Sequence, residues 1–263
     1  MKTIKKISIL FLIAVLPYVS FASIEVVGSL RHINKGSLGD TYKGEIKIQN
    51  SGDNEQEVRI YQTDLLYNFE DFTFYNDPVS HNRSNANWIQ FSPKTTIVAG
   101  NSTTYVQYEV TIPKSDTVIG TYWSVLMIEG INPIDPNQEG EFNINTVTRY
   151  AIQIVTEITD RGVGKLVFSD PSLITEGDQL FLAVDITNTG EHYIVPEMSM
   201  ELFDETGESV KVLVAPKKGL FPTTSARYRF NLEGLKSEKT YQTVIIAAGE
   251  GDDVFGLEYT LFF

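Results

Sequence analysis

The chain is patterned with a period of two along most of its length. Thr41–Asn50 shows it most clearly: Tyr42, Gly44, Ile46 and Ile48 alternate with Lys43, Glu45, Lys47 and Gln49. Such alternation predicts a half-buried antiparallel strand. Ser23–Asn34, Glu57–Tyr67, Trp88–Pro93 and Thr103–Pro113 carry weaker versions of the same pattern. Gly120–Ile128 (GTYWSVLMI) is apolar on both faces and predicts a central strand. Asn143–Ile158 is the longest strand candidate, with Tyr150, Ile152, Ile154 and Ile158 on one face and Val147, Arg149, Ala151, Gln153, Val155 and Glu157 on the other. Asn68–Asn87 interrupts the rhythm as a long polar stretch carrying Phe69, Phe72, Phe74 and Tyr75. Loops of this length are often functional, and the alternative is an extra hairpin that tucks its aromatics against its own sheet.

The second half of the chain repeats the plan in less space. Strands are expected near Lys165–Ser169, Gln179–Asn188, Glu197–Asp204, Ser209–Ala215, Thr224–Leu232, Lys239–Ala248 and Val254–Phe263. Two short echoes support the repeat. Ile48-Gln49-Asn50-Ser51-Gly52 returns as Ile186-Thr187-Asn188-Thr189-Gly190, and Thr121–Leu126 (TYWSVL) returns as Thr240–Ile245 (TYQTVI). Trp123 has no counterpart in its echo, where Gln242 stands. Many short strands separated by turn residues, without an amphipathic helix, predict an all-β chain of two tandem immunoglobulin-like Greek-key β-sandwich domains. The expected boundaries are 23–160 and 161–263, joined by the short linker Thr159–Gly164.

The first 22 residues have the form of a signal peptide. Lys2, Lys5 and Lys6 precede the apolar run Ile7–Val15, and Ser20-Phe21-Ala22 offers a small-residue cleavage site. The run is shorter than the ~20 residues of a spanning helix, and no later stretch suits stable membrane insertion. The expected location is therefore the periplasm or the cell surface. The 263 residues hold 34 acidic and 21 basic side chains, a net charge of −13; removing the three N-terminal lysines takes it to −16. That balance argues against nucleic-acid partners, which require a basic footprint. Cysteine is absent, so core packing must hold each sandwich without disulfides.

Candidate chemistry is sparse. The three histidines, His32, His81 and His192, lie near no nucleophile elbow. Neither a His/Cys zinc pattern nor a phosphate-binding glycine loop is present. The acidic turn Glu250–Asp253 lacks calcium-loop spacing. No catalytic residue, metal or cofactor is therefore assigned, and the chain is expected not to be an enzyme.

The signal peptide, tandem sandwiches, Ile48–Gly52 strand end, Ala99–Thr103 turn, Pro113…Gly120-Thr121-Tyr122 approach and long closing strand together resemble the periplasmic pilus-chaperone (PapD-like) superfamily. The first domain also resembles surface proteins of the WxL-interacting type. The pilus-chaperone resemblance implies a protein partner, a subunit of the bacterial envelope held as an extended strand. In that family an Arg on the first strand and a Lys on the last strand of the N-terminal domain bind the subunit's C-terminal carboxylate. Arg31 stands at a first-strand position. The Lys has no match, since Gln153, Thr156 and Glu157 occupy that half of the strand, and Arg149 lies nearer its start.

Two functional readings follow. In the first, an extended secreted or fimbrial segment adds to Asn143–Ile158, with Arg31, Val147, Arg149, Ala151 and Val155 as partner-binding residues. In the second, a protein or glycan binds the 68–87 segment through Phe72, Phe74 and Tyr75, with Trp123 as a further candidate.

Overall fold

The computed structural model describes residues 24–131, 147–159, 161–249 and 253–263. The expected signal peptide, residues 143–146 of the long strand candidate, Asp160 and most of the Glu250–Asp253 turn lie outside them.

The first sandwich contains β1 (Ile24–Val27), β2 (Arg31–Gly36), β3 (Thr41–Asn50), β4 (Gln56–Tyr67), β5 (Thr73–Asn76), β6 (Ile89–Ser92), β7 (Thr95–Val98), β8 (Ser102–Thr111), β9 (Thr121–Ile131) and β10 (Arg149–Ile158). One sheet has the order β1-β3-β8-β6. The other has the order β2-β10-β9-β4-β5, with β7 also pairing with β4. The expected single strand Ser23–Asn34 is thus two strands in different sheets. Gly28, at φ +117°, takes a backbone conformation that side chains resist, and the chain crosses there from one sheet to the other. The 68–87 segment contains a hairpin: β5 pairs with the end of β4, Asp64 to Asn76 and Tyr67 to Thr73. A 3-10 turn, Ala86–Trp88, is the only helical element among the described residues.

The second sandwich contains β11 (Leu166–Phe168), β12 (Ser172–Glu176), β13 (Gln179–Asn188), β14 (Glu197–Phe203), β15 (Ser209–Ala215), β16 (Ser225–Asn231), β17 (Thr240–Ala248) and β18 (Val254–Phe262). Its sheets are β11-β13-β12, with β16 also on β13, and β15-β14-β17-β18. Both sandwiches are immunoglobulin-like. The alternating apolar positions form the cores. Ile46, Ile48, Val106, Val110, Leu126, Ile128, Ile152 and Ile154 are buried together in the first. Leu182, Val184, Ile186, Met198, Met200, Tyr228, Phe230 and Ile245 are buried in the second.

The two echoes are structurally equivalent. Asn50 and Asn188 are fully buried at the ends of β3 and β13. Each accepts a backbone hydrogen bond two residues on, from Gly52 and Gly190, both at 3.0 Å. Each donates through its amide to two carbonyls: Asn50 to Asn54 (2.8 Å) and Val98 (2.9 Å), Asn188 to His192 (2.7 Å) and Leu220 (2.9 Å). The side chain ties a strand end to two neighbouring loops through their backbone carbonyls. Likewise β9 and β17 are central strands, and Tyr122, Ser124, Leu126 and Ile128 match Tyr241, Thr243, Ile245 and Ala247 on the core-facing side.

The opposite face of β9 differs. Trp123, Val125 and Met127 are buried there with Leu65, Val155 and Phe221, and Phe221 belongs to the second sandwich. Backbone bonds stitch the same seam: Thr121 N donates to Glu191 O at 2.7 Å, and Tyr193 N donates to Thr121 Oγ1 at 2.8 Å. Tyr67 donates its hydroxyl proton to Gly219 O at 2.6 Å and accepts from Phe221 N at 3.1 Å. At Gly120, φ +69°, a Cβ would stand 2.2 Å from Glu191 O, so the seam admits only glycine there. In β17 the equivalent outward position, Gln242, is exposed. Trp123 therefore departs from its echo because the outer face of its sheet is covered by the second sandwich.

Asn188→Ala removes three hydrogen bonds, leaving the His192 carbonyl without its amide donor and the Leu220 carbonyl with the Ile194 N–H alone. It is expected to cost about 2–4 kcal/mol, measured as a fall in the midpoint of urea unfolding, and Asn50→Ala should cost a similar amount.

Candidate partner-binding site

The site is built around an unequal strand. Along one side, β10 pairs with β9 antiparallel from Arg149–Glu129 to Glu157–Thr121. Along the other, β2 pairs with it in parallel, but only from Gln153–Arg31 to Ile158–Gly36. Gln153 N donates to Leu30 O at 2.8 Å, where that pairing begins. Among the described residues, Arg149–Ile152 consequently has a strand on one side only. Unpaired edges of this kind accept further strands. Val147, just before β10, is exposed.

Side chains of β10 alternate as expected. Tyr150, Ile152 and Ile154 pack into the first core. On the other face Arg149 is exposed, Ala151 is half-buried, and Val155 is buried in the seam with Trp123 and Phe221. A cleft of about 470 Å³ opens beside the unpaired half, lined by Tyr61, Thr63, Tyr75, Met127, Arg149 and Ala151. Tyr75 of the hairpin thus stands with Arg149 and Ala151 of β10, which joins residues from the two sequence-based readings. Phe72 and Phe74 are adjacent on the hairpin, ring centroids 6.2 Å apart, and all three aromatics are about half exposed: 55%, 46% and 48% for Phe72, Phe74 and Tyr75.

Charge at the cleft comes from Arg59, Arg149, Glu129 and Asp77. Glu129 is flanked by Arg149 at 3.3 Å and Arg59 at 3.2 Å, and the Arg59 guanidinium lies 4.8 Å from the Tyr61 ring centroid. Burial acts to raise the Glu129 pKa, but hydrogen bonds from Tyr61, Arg149 and Arg59 outweigh it, and the net direction is downward. Asp77 also lines the cleft, so two guanidinium groups are set against two carboxylates there.

Arg31 lies elsewhere. It is opposite Gln153, to whose side-chain oxygen its Nε donates at 2.6 Å. It also donates to the Tyr193 hydroxyl and sits 4.9 Å from that ring's centroid. Arg149 is four residues up the strand, about 13 Å away at strand spacing, and is engaged with Glu129. The two arginines therefore do not form a basic pair. Trp123 has no exposed surface. It is the middle of an aromatic column: Phe221 stacks on it at 4.5 Å and 11°, His81 at 4.4 Å, and Tyr193 continues the column from Phe221 at 4.6 Å. Its indole N–H donates to Leu65 O at 2.7 Å. Glu129, Arg59, Tyr61, Tyr193 and Phe221 were not singled out from the sequence. The missing counterpart of Trp123 was the one available sign that something covers this face. Among the described residues, no group of three or more His, Asp or Glu side chains is placed to hold a metal.

No protein-family model matches the chain, and no curated protein matches its sequence. Solved structures do match. A chain of the chaperone–tip adhesin complex of CFA/I fimbriae biogenesis aligns with a TM-score of 0.50 and 12% identity, over 91% of this chain and 98% of that one. At this identity the likeness is one of fold. The class 5 fimbriae chaperone CfaA (TM-score 0.49, 11% identity, 90% and 98% covered) and the YadV chaperone (0.46, 12%, 91% and 100%) are also similar.

His81 allows a test of the column. Its Nε2 is buried 3.7 Å from Asp64, whose carboxylate accepts from Ser80 N (2.7 Å) and the Ser84 hydroxyl (2.6 Å). Burial pushes the His81 pKa below its ordinary 6.5, against the attraction of Asp64. As pH falls below that value the unfolded chain takes up the proton first, so stability is full above it and declines below it until the folded-state pKa is passed. His32 is shifted the same way. His81→Gln is expected to flatten, not abolish, the loss of unfolding free energy between about pH 6.5 and pH 5, as read by urea titration at each pH.

Proposed function

We propose that this is an exported, non-enzymatic, chaperone-like protein of the bacterial envelope. It binds extended segments of secreted or fimbrial subunits by β-strand addition. Residues 1–22 serve as a cleaved signal peptide, and 23–160 and 161–263 are the two immunoglobulin-like domains. The carrying observation is the half-open strand: among the described residues Arg149–Ile152 has β9 paired on one side and no strand on the other, while the rest of β10 is closed by β2. Val147, Arg149 and Ala151 would flank an added strand on the cleft side. Arg31 has Gln153 as its partner in place of a lysine, so backbone pairing, rather than a two-cation carboxylate anchor, carries the affinity in this reading. The similarity in fold to fimbrial chaperones supports the same class of role.

A second reading has its own support. Phe72, Phe74 and Tyr75 present half-exposed rings on one hairpin, and exposed aromatic platforms suit sugar stacking or an interface anchor. In that reading the protein is an adhesion or scaffold component of the envelope.

Co-expression with the subunits encoded beside it, followed by co-purification, separates the two. Ala151→Glu is expected to weaken capture at least tenfold, about 1.4 kcal/mol, because it sets a carboxylate beside the open edge, while Phe72→Ala with Phe74→Ala leaves capture intact. Capture that survives Ala151→Glu but is lost in the Phe72/Phe74 variant would establish the hairpin reading instead. Val155 is unsuited to this test because its burial in the seam would confuse binding with folding.

A further inference from the structure

The open half of β10 borders a slot whose form follows from strand register. Residues paired across adjacent strands share a face of the sheet. On the cleft face three rows cross β10, β9 and β4. Arg149, Glu129 and Arg59 form one; Gln153, Val125 and Thr63 form another, extended onto β2 by Arg31. Between them lie Ala151, Met127 and Tyr61. Both outer rows are tied off. Glu129 holds its two arginines, and Arg31 Nε donates to the Gln153 side chain at 2.6 Å. In the middle row the Tyr61 hydroxyl is turned to Glu129, so a methyl, a thioether and a ring line the cleft. Its far wall is the hairpin, which contributes Tyr75 and Asp77. That wall is held from behind: Phe69 N donates to Ser225 Oγ and Arg229 to Asp71, both at 3.1 Å. The slot is therefore formed before anything enters it.

We propose that this slot is a specificity pocket for one aromatic side chain of the strand that adds to Arg149–Ile152, an inference that rests on the strand-addition reading and names what that strand must carry. An added strand lies in line with β2 and ends where Leu30 accepts the Gln153 amide. Side chains alternate between faces, so within the open half only the guest residues opposite Arg149 and Ala151 face the cleft. Arg149 fills its own row with a long side chain. Opposite Ala151, nothing beyond a Cβ stands between a guest ring and Met127, and aromatic side chains reach past their direct cross-strand neighbour. Met127 is buried and Ala151 half-buried, so a ring laid across them exchanges water for apolar surface. Charge offers no competing preference, because Arg59 and Arg149 are set against Glu129 and Asp77. A charged guest side chain in the same place would lose its hydration over Met127 without gaining a free partner.

Amide-resolved NMR titration of the mature chain, residues 23–263, tests it, because the method reads weak binding and locates it. The probes are short synthetic threonine strands, a residue suited to extended backbone, with one central Phe, Ala or Glu. The amides of Arg149–Ile152 should shift with the Phe probe, which should bind about tenfold tighter than the Ala probe or better; the Glu probe should bind no tighter than the Ala probe. Ala151→Leu, checked for folding by circular dichroism, fills the slot from within. It should weaken the Phe probe by about tenfold and leave the Ala probe within about twofold. Edge amides that respond equally to the Phe and Ala probes overturn the slot and leave strand addition standing, as does a Phe preference that Ala151→Leu leaves intact. Edge amides that respond to no probe overturn the slot and strand addition together.

Discussion

The stacking of Trp123 on Phe221 is the constraint on which the rest depends. A central strand of a two-layer sandwich has one core to feed. β9 feeds two, because its second face is roofed by the other sandwich. Burying an indole of this size contributes about 4–6 kcal/mol of transfer free energy, and the Leu65 carbonyl satisfies its one polar group. The seam fixes the sheet that carries β10, and so fixes where the open half-strand and its cleft lie. It also explains why Val155 differs from Ala151. Four residues along one strand separate a position under the second sandwich from one beside open solvent.

The alternating strands were legible because each has one wet and one dry face, and their residue pattern records that directly. β3 and β8 are the plainest cases. The echoes around Asn50 and Asn188 were legible for a different reason. A buried amide that must serve three backbone groups tolerates little change, so the same residues recur at both strand ends. Less visible was anything decided by distant chain. Trp123 looked like a surplus aromatic until Phe221, 98 residues later, was seen to lie on it. The hairpin in the 68–87 segment gave no alternation because its aromatics are exposed on both sides. The sheet switch at Gly28 was carried by one residue's backbone, which no hydrophobic pattern encodes.

For the site, the strand was predicted and its half-open condition was not. That condition depends on where β2 starts, and the sequence pattern ran β1 and β2 together. The arginines show the same limit. Arg31 and Arg149 were reached through the family resemblance and their strand positions, but each one's partner, Gln153 or Glu129, is set by strand register.

The crossing at Gly28 has one more consequence. Because β2 begins at Arg31 and Leu30 already accepts the Gln153 amide, the open edge ends against a wall of main chain. A strand added there cannot slide further along β10. The glycine that lets the chain change sheets thereby acts as an end-stop, and it sets the frame in which any guest's side chains are read.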